Sequence, residues 1–232
     1  MRQPTKVVRG VGEANLFASA PATFILIALN VAAFAAEIGT GGGGFRVSGS
    51  SLVFEFGLFG PLVAEGEWYR LFTSAFLHAS FLHIAGNMIL LYFLGRILEP
   101  SIGTPRFVAI YLASLCAGSF GALLLAPNAL SYGASGAVFG ILAATFAIAR
   151  GRGVDALASS VGILILLNLA FSFGVPGISI GAHLGGLVGG FLCAALVLAG
   201  ERGMLGQRHF PAEMAAMAAV AVISIVGALA IA

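Results

Sequence analysis

Residues 178–199 read ISIGAHLGGLVGGFLCAALVLA. His183 is the only acidic or basic residue in this stretch. The run is as long as the roughly 20 apolar residues an α-helix needs to cross a bilayer core of about 30 Å. Gly181, Gly185 and Gly189 recur at every fourth position, lining one helix face with hydrogen atoms so that a neighbouring helix can pack closely. Working outward, six further runs of comparable length lie near residues 21–38, 81–98, 107–126, 132–149, 156–172 and 214–232. The expected fold class is therefore an all-α polytopic membrane protein that crosses the bilayer seven times.

The composition excludes the main alternatives. Of 232 residues, 59% are hydrophobic and only 9% are charged, against roughly a quarter charged in a soluble domain. A disordered chain would be poor in apolar residues. A formal net charge of +2, spread along the chain, makes no basic patch, so no nucleic-acid partner is expected. Cys116 and Cys193 lie inside apolar runs without C-x-x-C spacing and read as packing residues, neither a disulfide nor a thiolate metal site.

Seven crossings sort the eleven basic residues by side. Arg2, Lys6, Arg9, Arg96, Arg106, Arg150, Arg152, Arg202 and Arg208 share one side, and only Arg46 and Arg70 fall on the other. The excess marks the cytoplasmic side, which places the N-terminus inside. Residues 1–20 then form a short cytoplasmic tail. Ala33-Phe34-Ala35 resembles a signal-peptide cleavage site, but the preceding run is long enough to span, and the segment is expected to be retained. Residues 39–79, with Phe54, Phe56, Phe59, Trp68, Tyr69, Phe72 and Phe76, are too aromatic for a solvated linker and suit the membrane interface.

This orientation sets the depth of the few polar residues inside the runs. His83 and Asn87 fall in the first turns of the second span, Ser135 about one turn into the fourth, and His183 about one turn into the sixth. All four are expected roughly 5 to 10 Å below the outer helix ends, in one layer. Ser135 sits in YGASGAVFG, where Gly133 and Gly136 allow another backbone, or a substrate, to approach its hydroxyl. A serine at a helix start also has unpaired amide N–H groups beside it, suited to an oxyanion. The G-x-S-x-G elbow of α/β-hydrolases is not matched, because position 137 is alanine and no strand precedes the serine. His183 is the candidate base. If the face of Gly181, Gly185 and Gly189 meets Gly136 and Gly140, the two side chains come within hydrogen-bond reach. No Asp or Glu is expected in the layer, so the constellation reads as a Ser–His dyad. His83 and Asn87, four residues apart, share a helix face and can both donate towards one point. His78, His83 and His183 without H-E-x-x-H or a carboxylate at that depth do not make a zinc site; no metal and no cofactor are expected.

These motifs resemble the rhomboid intramembrane serine proteases. The resemblance rests on GASGAVFG around Ser135, AHLGG around His183 with the spaced glycines after it, His83-x-x-x-Asn87, and Trp68-Tyr69-Arg70, where Tyr69 separates the tryptophan and arginine of the family's first-loop motif. It implies Ser135 as nucleophile, His183 as base, and His83 with Asn87 as side chains of the oxyanion hole. Gly133, Gly136, Gly185 and Gly189 would support the site. Phe139 stands where some members carry a tyrosine stacked on the catalytic histidine. The resemblance further implies a six-helix core, here residues 21–199, with residues 200–232 adding a seventh helix, and substrates that approach past the fifth.

The function expected from the sequence is an intramembrane serine endopeptidase acting on transmembrane protein substrates within the lipid bilayer. Its site would face the outer side, in the inner membrane if the source is bacterial, with residues 39–79 and 173–179 as the rim. An inactive relative that binds membrane proteins is the alternative. A channel or transporter is less favoured, because the third to sixth spans lack a charged or broken-helix pathway.

Overall fold

The computed structural model describes residues 16–41, 49–175, 177–206 and 209–232. Arg2, Lys6, Arg9, Arg46, Arg208 and most of the expected tail lie outside them. The architecture is all-α and polytopic, built from α1 (Pro21–Gly39), α2 (Phe81–Ile102), α3 (Thr104–Leu125), α4 (Ser135–Gly151), α5 (Asp155–Gly174), α6 (Ile180–Glu201) and α7 (His209–Ile231). All but α4 are long and apolar enough to cross a membrane. With 17 residues, α4 is about 26 Å long, shorter than the bilayer core of about 30 Å.

The start of α4 differs from the sequence expectation. Residues 132–134 are apolar enough to look helical, yet Gly133 adopts φ +135° and its N–H donates to the Ser74 carbonyl (2.9 Å). Ser131 pairs with Leu58 through two backbone bonds of 2.9 Å. The backbone groups that would have begun the helix are thus committed to the first long connection, and Ser135 becomes the first helical residue instead of lying a turn inside.

That connection is itself folded, with short helices Ser51–Phe56, Gly60–Ala64 and Arg70–Thr73. Arg70 holds it together: buried, it pairs with Glu67 and donates to the carbonyls of Phe54 (2.9 Å) and Gly57 (2.7 Å). Trp68 and Phe54 remain exposed, as an interfacial segment requires.

Lipid offers helices no hydrophobic reason to associate, so close packing of small residues must hold the bundle together. Every residue of α4 from Gly136 to Thr145 is buried. Its partner α6 uses glycines on two faces. A Cβ on Gly186 or Gly190 would land on the carbonyl oxygen of Gly136 or Gly140 in α4. Gly181 and Gly185 abut the carbonyls of Gly121 and Ala117 in α3, and Gly189 lies against Ala117 and Ser114. The expectation that Gly181, Gly185 and Gly189 face the fourth span is therefore corrected. That stripe meets α3, and a second stripe one position on, about 100° around the helix, meets α4. Flanked by two neighbours, α6 needs two glycine faces.

The outer helices are tied by buried carboxylates. Glu99, near the end of α2, accepts from the N–H groups of Ala22 (3.0 Å) and Thr23 (2.8 Å) and from the hydroxyls of Thr23 (2.7 Å) and Thr104 (2.8 Å). It caps α1, whose own N-cap position supplies no side-chain bond, with negative charge where the helix dipole favours it. Glu213 of α7, fully buried, pairs with Arg106 of α3, and Gly200 makes room for its carboxylate. In α5 and α7 the buried residues are few and large apolar side chains such as Leu166, Leu167, Val222 and Ile223 are exposed, which fits a lipid-facing position.

Candidate active site

Ser135, at the first position of α4, has its Oγ 2.8 Å from Nε2 of His183 on α6. The separation is that of a good hydrogen bond. It exists because Gly186 and Gly190 let α6 approach α4 without intervening side chains. Ser179 caps α6 by accepting from the Ala182 N–H (3.3 Å), one residue before His183. The imidazole is further oriented by Phe139, stacked on it with centroids 4.0 Å apart and planes inclined by 15°.

The start of α4 has no side-chain cap, and the Val138 N–H is the first to reach a carbonyl, that of Ala134 (3.0 Å). The N–H groups ahead of it, on Ser135, Gly136 and Ala137, have no intrahelical partner. These donors belong to the same helix start that carries the Ser135 hydroxyl.

His83 and Asn87 approach from α2. Nδ1 of His83 accepts the Ala79 N–H (3.3 Å), so the neutral ring carries its proton on Nε2, and this nitrogen is a donor. A Cβ on Gly133 would sit 2.8 Å from Cε1 and 2.9 Å from Nε2 of that ring and 3.7 Å from Ser135 Oγ. Glycine at 133 is thus required twice, by its positive φ and by the imidazole edge that a Cβ would meet. One N–H of the Asn87 amide goes to the His83 carbonyl (3.1 Å); the other has no acceptor among the described residues. Ser135, His183, His83, Asn87 and Phe139 all line one cavity of about 670 Å³, which is bounded by α2 through Leu82 and Leu90, by α5 through Phe171, and by Val175 just beyond α5.

Two neighbours of the site were not anticipated. Ser172 of α5 lies 2.7 Å from His183 Nδ1. Its only sequence signal is a hydroxyl near the C-terminal end of the fifth apolar run. Glu37, near the end of α1, is fully buried and accepts the His78 N–H with both oxygens (3.1 Å each). The His78 ring lies edge-on to His83 with centroids 5.0 Å apart. The expectation that no carboxylate reaches this region is therefore corrected: Glu37 does, bonded to backbone and not to His183. Burial, with His83 adjacent, pushes the His78 ring down to about 3, so it is neutral. Among the described residues no three His, Cys, Asp or Glu side chains converge to hold a metal ion.

Comparison with known proteins places this arrangement. The sequence model of the Rhomboid domain matches residues 65–200. The chain is 37% identical over 156 residues to rhomboid protease GluP of Bacillus subtilis (strain 168), a match covering 66% of this chain and 31% of that protein. It is 35% identical over 160 residues to RHOMBOID-like protein 5 of Arabidopsis thaliana, covering 65% of this chain and 51% of that one. RHOMBOID-like protein 1 of the same plant is 34% identical over 165 residues, with 68% and 42% covered. The chain thus spans about half or less of the length of these relatives. The matched region holds α2 to α6 almost entire, and with them Ser135, His183, His83, Asn87, Phe139 and Ser172: this integral, multi-pass membrane protein belongs to the rhomboid family.

Proposed function

We propose that the chain is an intramembrane serine endopeptidase that hydrolyses peptide bonds in or near transmembrane segments of other proteins. The observation that carries this reading is the Ser135 Oγ to His183 Nε2 bond of 2.8 Å at an uncapped helix start. His183 Nε2 takes the proton as Ser135 Oγ attacks the scissile carbonyl carbon. The oxyanion meets Nε2–H of His83, the free N–H of Asn87 and the unpaired backbone N–H groups of α4. His183 then protonates the leaving amine, and a water molecule, deprotonated by the same nitrogen, hydrolyses the acyl-enzyme. Neither a metal nor a cofactor takes part. A substrate helix must unwind locally at the cleaved bond, since its carbonyl is otherwise bonded within the helix.

Residues 21–199 serve as the catalytic core and residues 200–232 add a seventh span. The basic residues put the N-terminus in the cytoplasm and the cavity towards the outer face. A single cysteine at Ala129 would then react with an impermeant reagent from outside and one at Val154 would not; the native Cys116 and Cys193 are buried. The decisive experiment is cleavage of a single-span substrate in proteoliposomes by wild type, Ser135→Ala and His183→Ala. Each variant should fall below about a hundredth of the wild-type rate with unchanged helicity. A variant that still cleaves above that level ends the dyad reading.

A further inference from the structure

Ser172 is buried on a helix that exposes large side chains such as Leu166, Leu167 and Phe171, and its hydroxyl makes two contacts. The Oγ lies 2.6 Å from the Asn168 carbonyl oxygen one turn earlier and 2.7 Å from His183 Nδ1. A carbonyl oxygen can only accept, so the single hydroxyl proton is committed to Asn168. What Ser172 presents to Nδ1 is a lone pair. Nδ1 must then carry the imidazole proton, and Nε2 must be the bare nitrogen that faces Ser135.

We propose, resting on the protease reading above, that Ser172 is a positioning residue that holds His183 in the tautomer a general base requires. In the opposite tautomer Nε2–H would point at Ser135 Oγ and could not accept its proton. The same bond serves the next step without rearrangement. Once Nε2 is protonated, Nδ1–H of the imidazolium still donates to Oγ, now as a charge-assisted bond. A neutral hydroxyl thus performs the orienting task that a carboxylate performs in a triad, without burying a second charge in an apolar layer.

Two measurements test this. In protein with ¹⁵N-labelled histidine, at a pH where the rings are neutral, long-range ¹H–¹⁵N correlations distinguish a protonated Nδ1 from a protonated Nε2. His183 should be Nδ1–H. His83, whose Nδ1 accepts from Ala79, should be Nε2–H and supplies an internal contrast. In kinetics, Ser172→Ala should lower kcat about tenfold to a hundredfold, with little change in KM and with a mixed His183 tautomer, and Ser172→Thr should restore both. An Nε2–H resonance for wild-type His183, a wild-type kcat for Ser172→Ala, or equal losses in the Ala and Thr variants with an unchanged tautomer would each overturn the assignment. The wild-type spectrum needs no variant, so misfolding of Ser172→Ala leaves the proposal testable. It also needs no cleavage: activity persisting in Ser135→Ala refutes the protease reading and leaves the tautomer result standing, whereas an Nε2–H His183 refutes the role of Ser172 alone.

Discussion

Gly186→Ala is the smallest change that separates packing from chemistry in this site. The new Cβ would lie on the Gly136 carbonyl, 2.7 Å from its carbon and 3.1 Å from the Gly136 Cα. Non-bonded carbons settle at about 3.5–4.0 Å, so α4 and α6 must part by about 1 Å. Gly136 follows Ser135 directly, and Gly186 is one turn from His183, so the displacement falls on the dyad itself. The 2.8 Å contact would stretch towards about 3.8 Å, outside hydrogen-bond range. A 1 Å misplacement can cost about a hundredfold in rate with every reacting group intact. We expect that loss in the initial rate of cleavage of a single-span substrate in proteoliposomes, and a parallel fall in fluorophosphonate labelling of Ser135. Gly39→Ala, where a Cβ meets nothing within 4 Å, should cleave and label as wild type does. Wild-type cleavage by Gly186→Ala would refute the argument that backbone contact between α4 and α6 positions the dyad.

Three further outcomes follow from other parts of the molecule. Gly133→Ala must bear both a strained φ and a clash with the His83 ring; its cleavage rate should fall about a hundredfold, on the scale of one lost oxyanion donor, and a rate within a few-fold of wild type would count against the placement of His83. Arg106→Ala strands the fully buried Glu213 and should cost about 3 kcal/mol, read as a lower Tm in detergent, while Glu213→Gln should cost clearly less because the charge it leaves unpaired, the Arg106 guanidinium, is partly exposed. His78, held near 3 by burial and by His83, binds its proton more readily in the unfolded chain; stability should be full above about pH 6.5 and erode as pH falls towards 3, by at most about 1.4 kcal/mol per pH unit. Tm at pH 7 and pH 5 should therefore differ more for wild type than for His78→Gln, and equal differences would remove His78 as the cause.

The helices were legible because lipid admits few alternatives to an apolar helix, and the meeting of Ser135 with His183 because polar residues inside those helices are so few. The partners of Gly185 and Gly189 were not. A four-residue spacing says that a face packs closely, not against which neighbour, and only the wedging of α6 between two helices assigns that stripe to α3. The start of α4 was misplaced because hydropathy cannot register that the N–H of Gly133 is taken by Ser74. Ser172 stayed hidden for a related reason. A hydroxyl in a membrane helix ordinarily bonds the carbonyl four residues back, and Ser172 does so; the use of its remaining lone pair depends on where α6 lies. Glu37 escaped notice because its partner is a backbone N–H in a connection 41 residues away.

Glu99 carries a consequence for how the protein is made. The first turn of α1 finds its acceptors on a carboxylate 77 residues downstream. At synthesis rates of about 5–20 residues per second, α1 emerges roughly 4–15 s before the residue that caps it. During that interval its leading N–H groups depend on water or lipid headgroups at the membrane surface, and α1 has no fixed seat beside α2. Nascent chains arrested before Glu99 should hold α1 in the bilayer unanchored and open to surveillance proteases, and chains arrested just beyond α2 should hold it docked.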